Sequence, residues 1–156
     1  MAKLRRKPST PTRTELLYLP YYCFDCELSG SSENQVVRVA VDGLAGDVVF
    51  FVTEKLESAS RGDQQSCEFE LTADAAQIVA MDQYKRMLLE HGLRNKTSTT
   101  VQNISSASEM LYPFWVAYLR KGDTYDFKAL DAISGEVQGV RMRKVFLRAF
   151  RQLDSR

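Results

Sequence analysis

The ten residues Val39–Val48, VAVDGLAGDV, return near the other end of the chain as Lys128–Val137, KALDAISGEV. Ala40/Ala129, Asp42/Asp131, Gly46/Gly135 and Val48/Val137 are identical, and Val41/Leu130, Leu44/Ile133 and Asp47/Glu136 are chemically matched. Each copy reads as strand, tight turn, strand. An aspartate just ahead of a turn can accept the turn's backbone N–H groups. A glycine near its end can take the left-handed conformation that closes a short hairpin, because it has no Cβ to clash. Asp42 and Asp131 are therefore read as structural rather than catalytic, and Gly46 and Gly135 as the closing residues.

The likeness extends upstream. Glu15-Leu16-Leu17-Tyr18 is answered by Glu109-Met110-Leu111-Tyr112, each followed closely by a proline, Pro20 or Pro113. Kept order and spacing point to a duplicated unit. The expected fold class is α+β: two related small antiparallel β-sheet units, a central helix and a short C-terminal helix. Residues 1–13 read as a basic flexible tail, 14–65 as the first β unit, and 66–156 as the helix, the second β unit and the terminal helix, in one compact domain of two repeats.

Within this plan Tyr18–Leu28, Val36–Val41 and Asp47–Phe51 are strand-like in the first half. Pro113–Leu119, Thr124–Leu130 and Glu136–Met142 are strand-like in the second. Ser29–Asn34, Glu54–Gln65 and Leu93–Ser108 read as loops or polar connectors. The helix is expected from Thr72, a suitable N-cap, to His91, with Gly92 as its stop. At 100° per residue Ala76, Ala80, Tyr84, Met87 and Leu88 share one face, and Asp82, Arg86 and Glu90 another. Phe146, Ala149, Phe150 and Leu153 follow the i, i+3, i+4, i+7 spacing of a terminal helix.

Cys23 and Cys26 form the only C-x-x-C in the chain. Residues three apart on a strand point to opposite faces, so these thiols should not converge on a metal. A zinc site would need further ligands, and Cys67 and His91 are the remaining thiol and imidazole. No helix begins at the motif to activate a redox thiol. His91 falls in the last helical turn, where an imidazolium is stabilised by the helix dipole. Glu68 and Glu70 would share one face of a short strand. Arg61-Gly62-Asp63 and the sequons at Asn95 and Asn103 match short patterns of the kind that arise by chance. No Walker loop, dinucleotide fingerprint or H-E-x-x-H occurs. No catalytic, cofactor-binding or metal-ligating residue is therefore assigned, and no cofactor is expected. The aromatic residues Tyr18, Tyr21, Tyr22, Phe24, Tyr112, Phe114, Trp115 and Tyr118 line the first strand of each half. Alternation sends most of them to a core and leaves an outward set able to meet a peptide or apolar ligand.

The chain has 156 residues, 44% of them hydrophobic and 26% charged, which excludes a mostly disordered protein. Its net charge of +1 conceals a segregation. Residues 1–13 carry five basic side chains and no acid, and residues 141–156 carry six against Asp154 alone. With +5 at each end and +1 in total, residues 14–140 hold −9. Basic ends raise weak nucleic-acid binding as one possibility, though no aromatic residues interleave the tail for base stacking. No apolar run approaches the roughly 20 residues of a membrane span. No apolar segment follows the basic N-terminus, and three cysteines do not suggest a disulfide framework, so a cytoplasmic location is expected.

The second half, a helix followed by an aromatic strand and Leu130-Asp131-Ala132-Ile133-Ser134-Gly135-Glu136-Val137, resembles a PepSY-type domain, whose hairpin signature is D-A-x-T/S-G-E-V. The first half resembles it more loosely, with Gly43 and Asp47 at the places of Ala132 and Glu136. The resemblance implies a helix on a small antiparallel sheet and a non-catalytic module that binds or restrains peptidases and other partners. PepSY-type domains are mostly extracytoplasmic or membrane-tethered, and the missing signal segment departs from that. The leading expectation is a non-enzymatic binding domain with a protein or peptide partner. The rivals are a metal-binding or thiol-dependent protein using Cys23 and Cys26, and a weak nucleic-acid binder.

Overall fold

A computed structural model describes residues 11–29, 35–50, 65–95 and 100–156. The first strand, β1, runs over 19 residues, Pro11–Ser29, and it organises everything else. Its C-terminal part pairs with β2 (Gln35–Asp42), which turns back into β3 (Val48–Phe50). A two-residue strand, β4 (Gln65–Ser66), lies parallel to β1 at Leu17 and Tyr18. The helix α1 (Ala73–Asn95) then leads to β5 (Thr100–Ile104), which pairs with the end of β1. Finally β6 (Ser108–Lys121) pairs with β1 from Pro11 to Cys23, β7 (Thr124–Asp131) pairs with β6, and α2 (Val140–Asp154) closes the chain.

The two halves do not form separate sheets. A single seven-stranded sheet has the order β3-β2-β1-β6-β7, with β4 and β5 also on β1. It is antiparallel except for β4. The physical reason is the length of β1: it reaches past each hairpin partner, so the edge left open by β2 is paired with β6. Leu19 and Tyr112 face each other at the middle of that pairing.

Alternation along β1 divides the core. Leu17, Leu19, Tyr21 and Cys23 join Tyr112, Phe114, Val116 and α2 residues Val145, Phe146 and Ala149 on one face. Tyr22, Phe24 and Cys26 join Val39, Val41 and α1 residues Ala76, Ala80 and Tyr84 on the other. The two helices thus cover opposite faces. Phe146 stands edge-on to Phe114 at 5.2 Å, and Phe150 edge-on to Phe127 at 5.0 Å. Burying a ring of this kind contributes roughly 1.5–3 kcal/mol.

Several local expectations change. β1 begins at Pro11, inside the stretch read as tail, because Pro11 and Arg13 register with Leu119 and Tyr118; residues 1–10 lie outside the described residues. Thr72 caps α1, its hydroxyl accepting from Ala75 N at 3.2 Å, but the helix passes through Gly92 to Asn95. One helical glycine costs only about 1 kcal/mol relative to alanine, too little to stop a helix alone. Ala76, Ala80 and Tyr84 are buried as expected, whereas Met87 is exposed. The polar connector at 93–108 contains β5, and residues 96–99 are not described. Residues 30–34 and 51–64, covering most of two loop readings and Arg61-Gly62-Asp63, also lie outside the described residues. The strand expected at Glu136–Met142 is reduced to one bridge, Val137 with Leu130, and Val140 already begins α2. A helix there lays Phe146 and Ala149 on the sheet, burial that three more strand residues could not provide.

Candidate functional site

Both turns are built on a buried aspartate. Asp42 Oδ1 accepts from Leu44 N, Ala45 N and Gly46 N at 2.5–3.2 Å, and Oδ2 from Asp47 N at 2.5 Å. Asp131 Oδ1 accepts from Ile133 N and Ser134 N at 2.8 and 2.9 Å. Each hairpin closes with the same backbone bond, Asp42 N to Asp47 O at 2.9 Å and Asp131 N to Glu136 O at 2.8 Å. Gly46 and Gly135 have φ of 80° and 78°. The prolines fit this plan. Pro20 and Pro113 stand where the ladder to the hairpin ends, and their carbonyls accept from Gly43 N and Ala132 N at 2.7 and 3.1 Å. An absent proline N–H costs least where the neighbouring strand is turning away.

Between the aspartates lie two tyrosines. Tyr112 Oη donates to both Asp131 oxygens, at 2.9 and 2.7 Å. The Tyr21 ring lies 6.2 Å from that of Tyr112, in an edge-on arrangement. Burial, and then Asp131, push the Tyr112 phenol well above its usual range. Burial, and then Asp42, do the same for Tyr21. Burial also raises Asp42, against four N–H bonds that favour its ionised form. Phenols held this firmly protonated donate hydrogen bonds but do not act as bases near neutral pH. The cluster bonds Tyr112 to the second turn and packs its ring against Tyr21, the strand partner of Asp42.

The thiols are placed apart. Cys23 belongs to the α2-side core and Cys26 to the α1-side core, on opposite faces of β1. Burial raises both, and pushes Cys67 up to about 11, so none is a ready thiolate. No group of three or more metal-ligating side chains converges among the described residues. His91 lies in α1 before its final turn, and its side chain is outside the described residues. Glu68 and Glu70 follow β4 rather than lying within a strand. Both meet α2: Gln152 Oε1 accepts from Glu68 N at 2.7 Å, and Arg148 approaches Glu70 at 4.0 Å.

The basic C-terminal run is largely committed to this docking. Lys144 pairs with Asp47 at 2.9 Å, Arg143 with Asp126 at 3.0 Å and Arg156 with Glu68 at 3.9 Å. Arg148 also donates to Leu44 O at 3.0 Å. Those side chains anchor α2 across both hairpins instead of forming an open basic face. A cleft of about 800 Å³ opens between the hairpin turns and the outer side of α1, floored by Tyr112 and Phe114. Its rim mixes Arg86 and Arg141 with Glu90 and Glu136, and so selects no ligand charge.

The remaining candidate is a sheet face. On the side opposite α2, Trp115 of β6 lies between Leu16 of β1 and Leu130 of β7, its direct cross-strand neighbours. Trp115 is 46% exposed, the outward member of the aromatic set. No residue of β6 or β7 belongs to the α1-side core. Alternation along β6 made an outward aromatic legible, but not which of the eight it would be. No helix among the described residues is long and apolar enough to cross a membrane. Comparison with protein-family models, curated proteins and solved structures finds no match to this chain.

Proposed function

We propose that the chain is a non-enzymatic, PepSY-like binding domain of two related β units, acting on a protein partner in the cytoplasm. Register supports the relatedness: Tyr21 pairs with Asp42, and Phe114 with Asp131, so each turn aspartate meets the same position of its long strand. The polar cluster is consumed in closing the turns, and the thiols are buried apart, which leaves recognition rather than chemistry as the exposed business of the molecule.

The observation that carries the reading is Trp115, a large aromatic standing half-exposed between two apolar neighbours on a sheet face. Tryptophan is among the residues most enriched at binding hot spots. The test replaces Trp115 by a photoreactive phenylalanine analogue in the full chain, irradiated in its native cell. A discrete protein adduct is expected at position 115 and not at Tyr125, although Tyr125 is the more exposed of the two. Adducts indistinguishable between the two positions overturn the proposal.

A further inference from the structure

Equivalent positions of the two hairpins carry unequal cover. Counting from the aspartate pairs, Tyr22 opposite Val41 corresponds to Trp115 opposite Leu130, and Phe24 opposite Val39 to Ala117 opposite Lys128. In the first half this face is covered. Phe69 stacks on Tyr22 at 4.2 Å, Tyr22 Oη donates to Leu71 O at 2.8 Å, and Ala76, Ala80 and Tyr84 of α1 lie on Phe24, Val39 and Val41. In the second half Trp115 is 46% exposed and Lys128 makes no ion pair among the described residues.

We infer that the Trp115 face docks an amphipathic helix of the partner protein, seated as α1 is seated on the first half; this rests on the proposed function and specifies its site. The chemistry of that helix follows from the surface. Small side chains at i and i+4 let α1 approach the sheet through Ala76 and Ala80, and Ala117 leaves room for the same approach. Lys128 stands where α1 meets Val39, so the docked helix carries an acidic side chain there.

The experiment uses the full chain and a synthetic peptide of residues 72–91, with a lactam between Asp82 and a lysine in place of Arg86. Those two side chains are mostly exposed in α1, so the bridge stabilises the helix without touching its packing face. Trp115 is the only tryptophan, so its emission reports directly on the proposed site. The expected result is a saturable blue shift, weakened about tenfold or more by Ala80→Lys in the peptide or Ala117→Arg in the protein. Circular dichroism of the Ala117→Arg chain verifies folding. No shift, or a shift indifferent to these changes, overturns the helix. So does a dimer in sedimentation that dissociates with Trp115→Ser, since a second copy would then own the face. Failure here beside a specific adduct at position 115 leaves the binding function standing without its helix; failure of the adduct alone removes the function.

Discussion

The two hairpins share a turn and differ in what lies over it. Gly43, just after Asp42, sits beneath Phe69, and a Cβ there would fall 2.4 Å from that ring. Its carbonyl accepts from both Glu70 N and Leu71 N at 2.9 Å, which ties the first turn to the segment entering α1. Ala132 holds the same place in the second turn, and among the described residues no such segment crosses it. The aspartates differ in step. Asp42 places both oxygens on backbone N–H groups, whereas Asp131 gives its second oxygen to Tyr112, which pairs across the sheet with Leu19. A turn can thus be repeated while its surroundings diverge: the first is built into the core, and the second remains at a surface.

The largest break in that comparison is expected at the aspartates. Asp42→Ala strands four N–H donors beneath the α1 entry and should cost about 3 kcal/mol or more in urea denaturation. Asp131→Ala should cost about 2 kcal/mol, because the exposed Ile133–Glu136 turn can turn its donors to water and the main buried loss is the bond from Tyr112 Oη. Equal losses would mean that the covering segment adds nothing to the first turn.

Gly43→Ala comes next. The added methyl must displace Phe69, an overpacking of about 1–3 kcal/mol, and loosen the ring on Tyr22. Ala132→Gly in the second turn should cost less than about 1 kcal/mol, with only backbone entropy at stake. Gly46→Val and Gly135→Val sharpen the comparison from the other side. Both positions have positive φ, and a Cβ at Gly46 makes only ordinary contact with Leu71 at 3.5 Å. Each should lose about 1–2 kcal/mol, nearly the same amount, in parallel thermal and urea melts. A large cost at one alone would end the case for related units.

What was legible follows the range of the forces. Asp42, Gly46, Asp131 and Gly135 act within six residues, so the turns can be read directly from sequence. The burial of Ala76, Ala80 and Tyr84 repeats every four residues and is equally local. The pairing of Leu19 with Tyr112 is decided by the length of β1 and by which open edge is nearest, information that no window of the chain contains. The exposure of Trp115 was out of reach for the same reason. Alternation sets it opposite to Phe114, but whether that face is covered depends on where α1 lands. The pair Cys23 and Cys26 was readable because strand alternation alone separates them.

The smallest expected effect concerns the partnership of α2 with the second hairpin. Asp126 accepts from Phe127 N at 2.8 Å, from Arg143 at 3.0 Å and from Lys121 at 3.3 Å. The backbone bond first, and then the two cations, lower its carboxyl to about 2. An unfolded aspartate titrates near 3.9, so the folded chain binds this proton less readily than the unfolded one. The interaction therefore supports folding above about pH 4 and fades as pH falls toward about 2. Asp126 is partly exposed and its two cations lie at the surface, so the contribution is small and screened by salt. Carboxyl-carbon NMR should find a midpoint near 2 that rises in Arg143→Ala, while the first-half tie of Lys144 to Asp47 is left in place. A midpoint unmoved by Arg143→Ala would leave the Phe127 N–H, which Asp126 shields on the outer strand, as the dominant partner. α2 would then be held chiefly by the first half and by its rings.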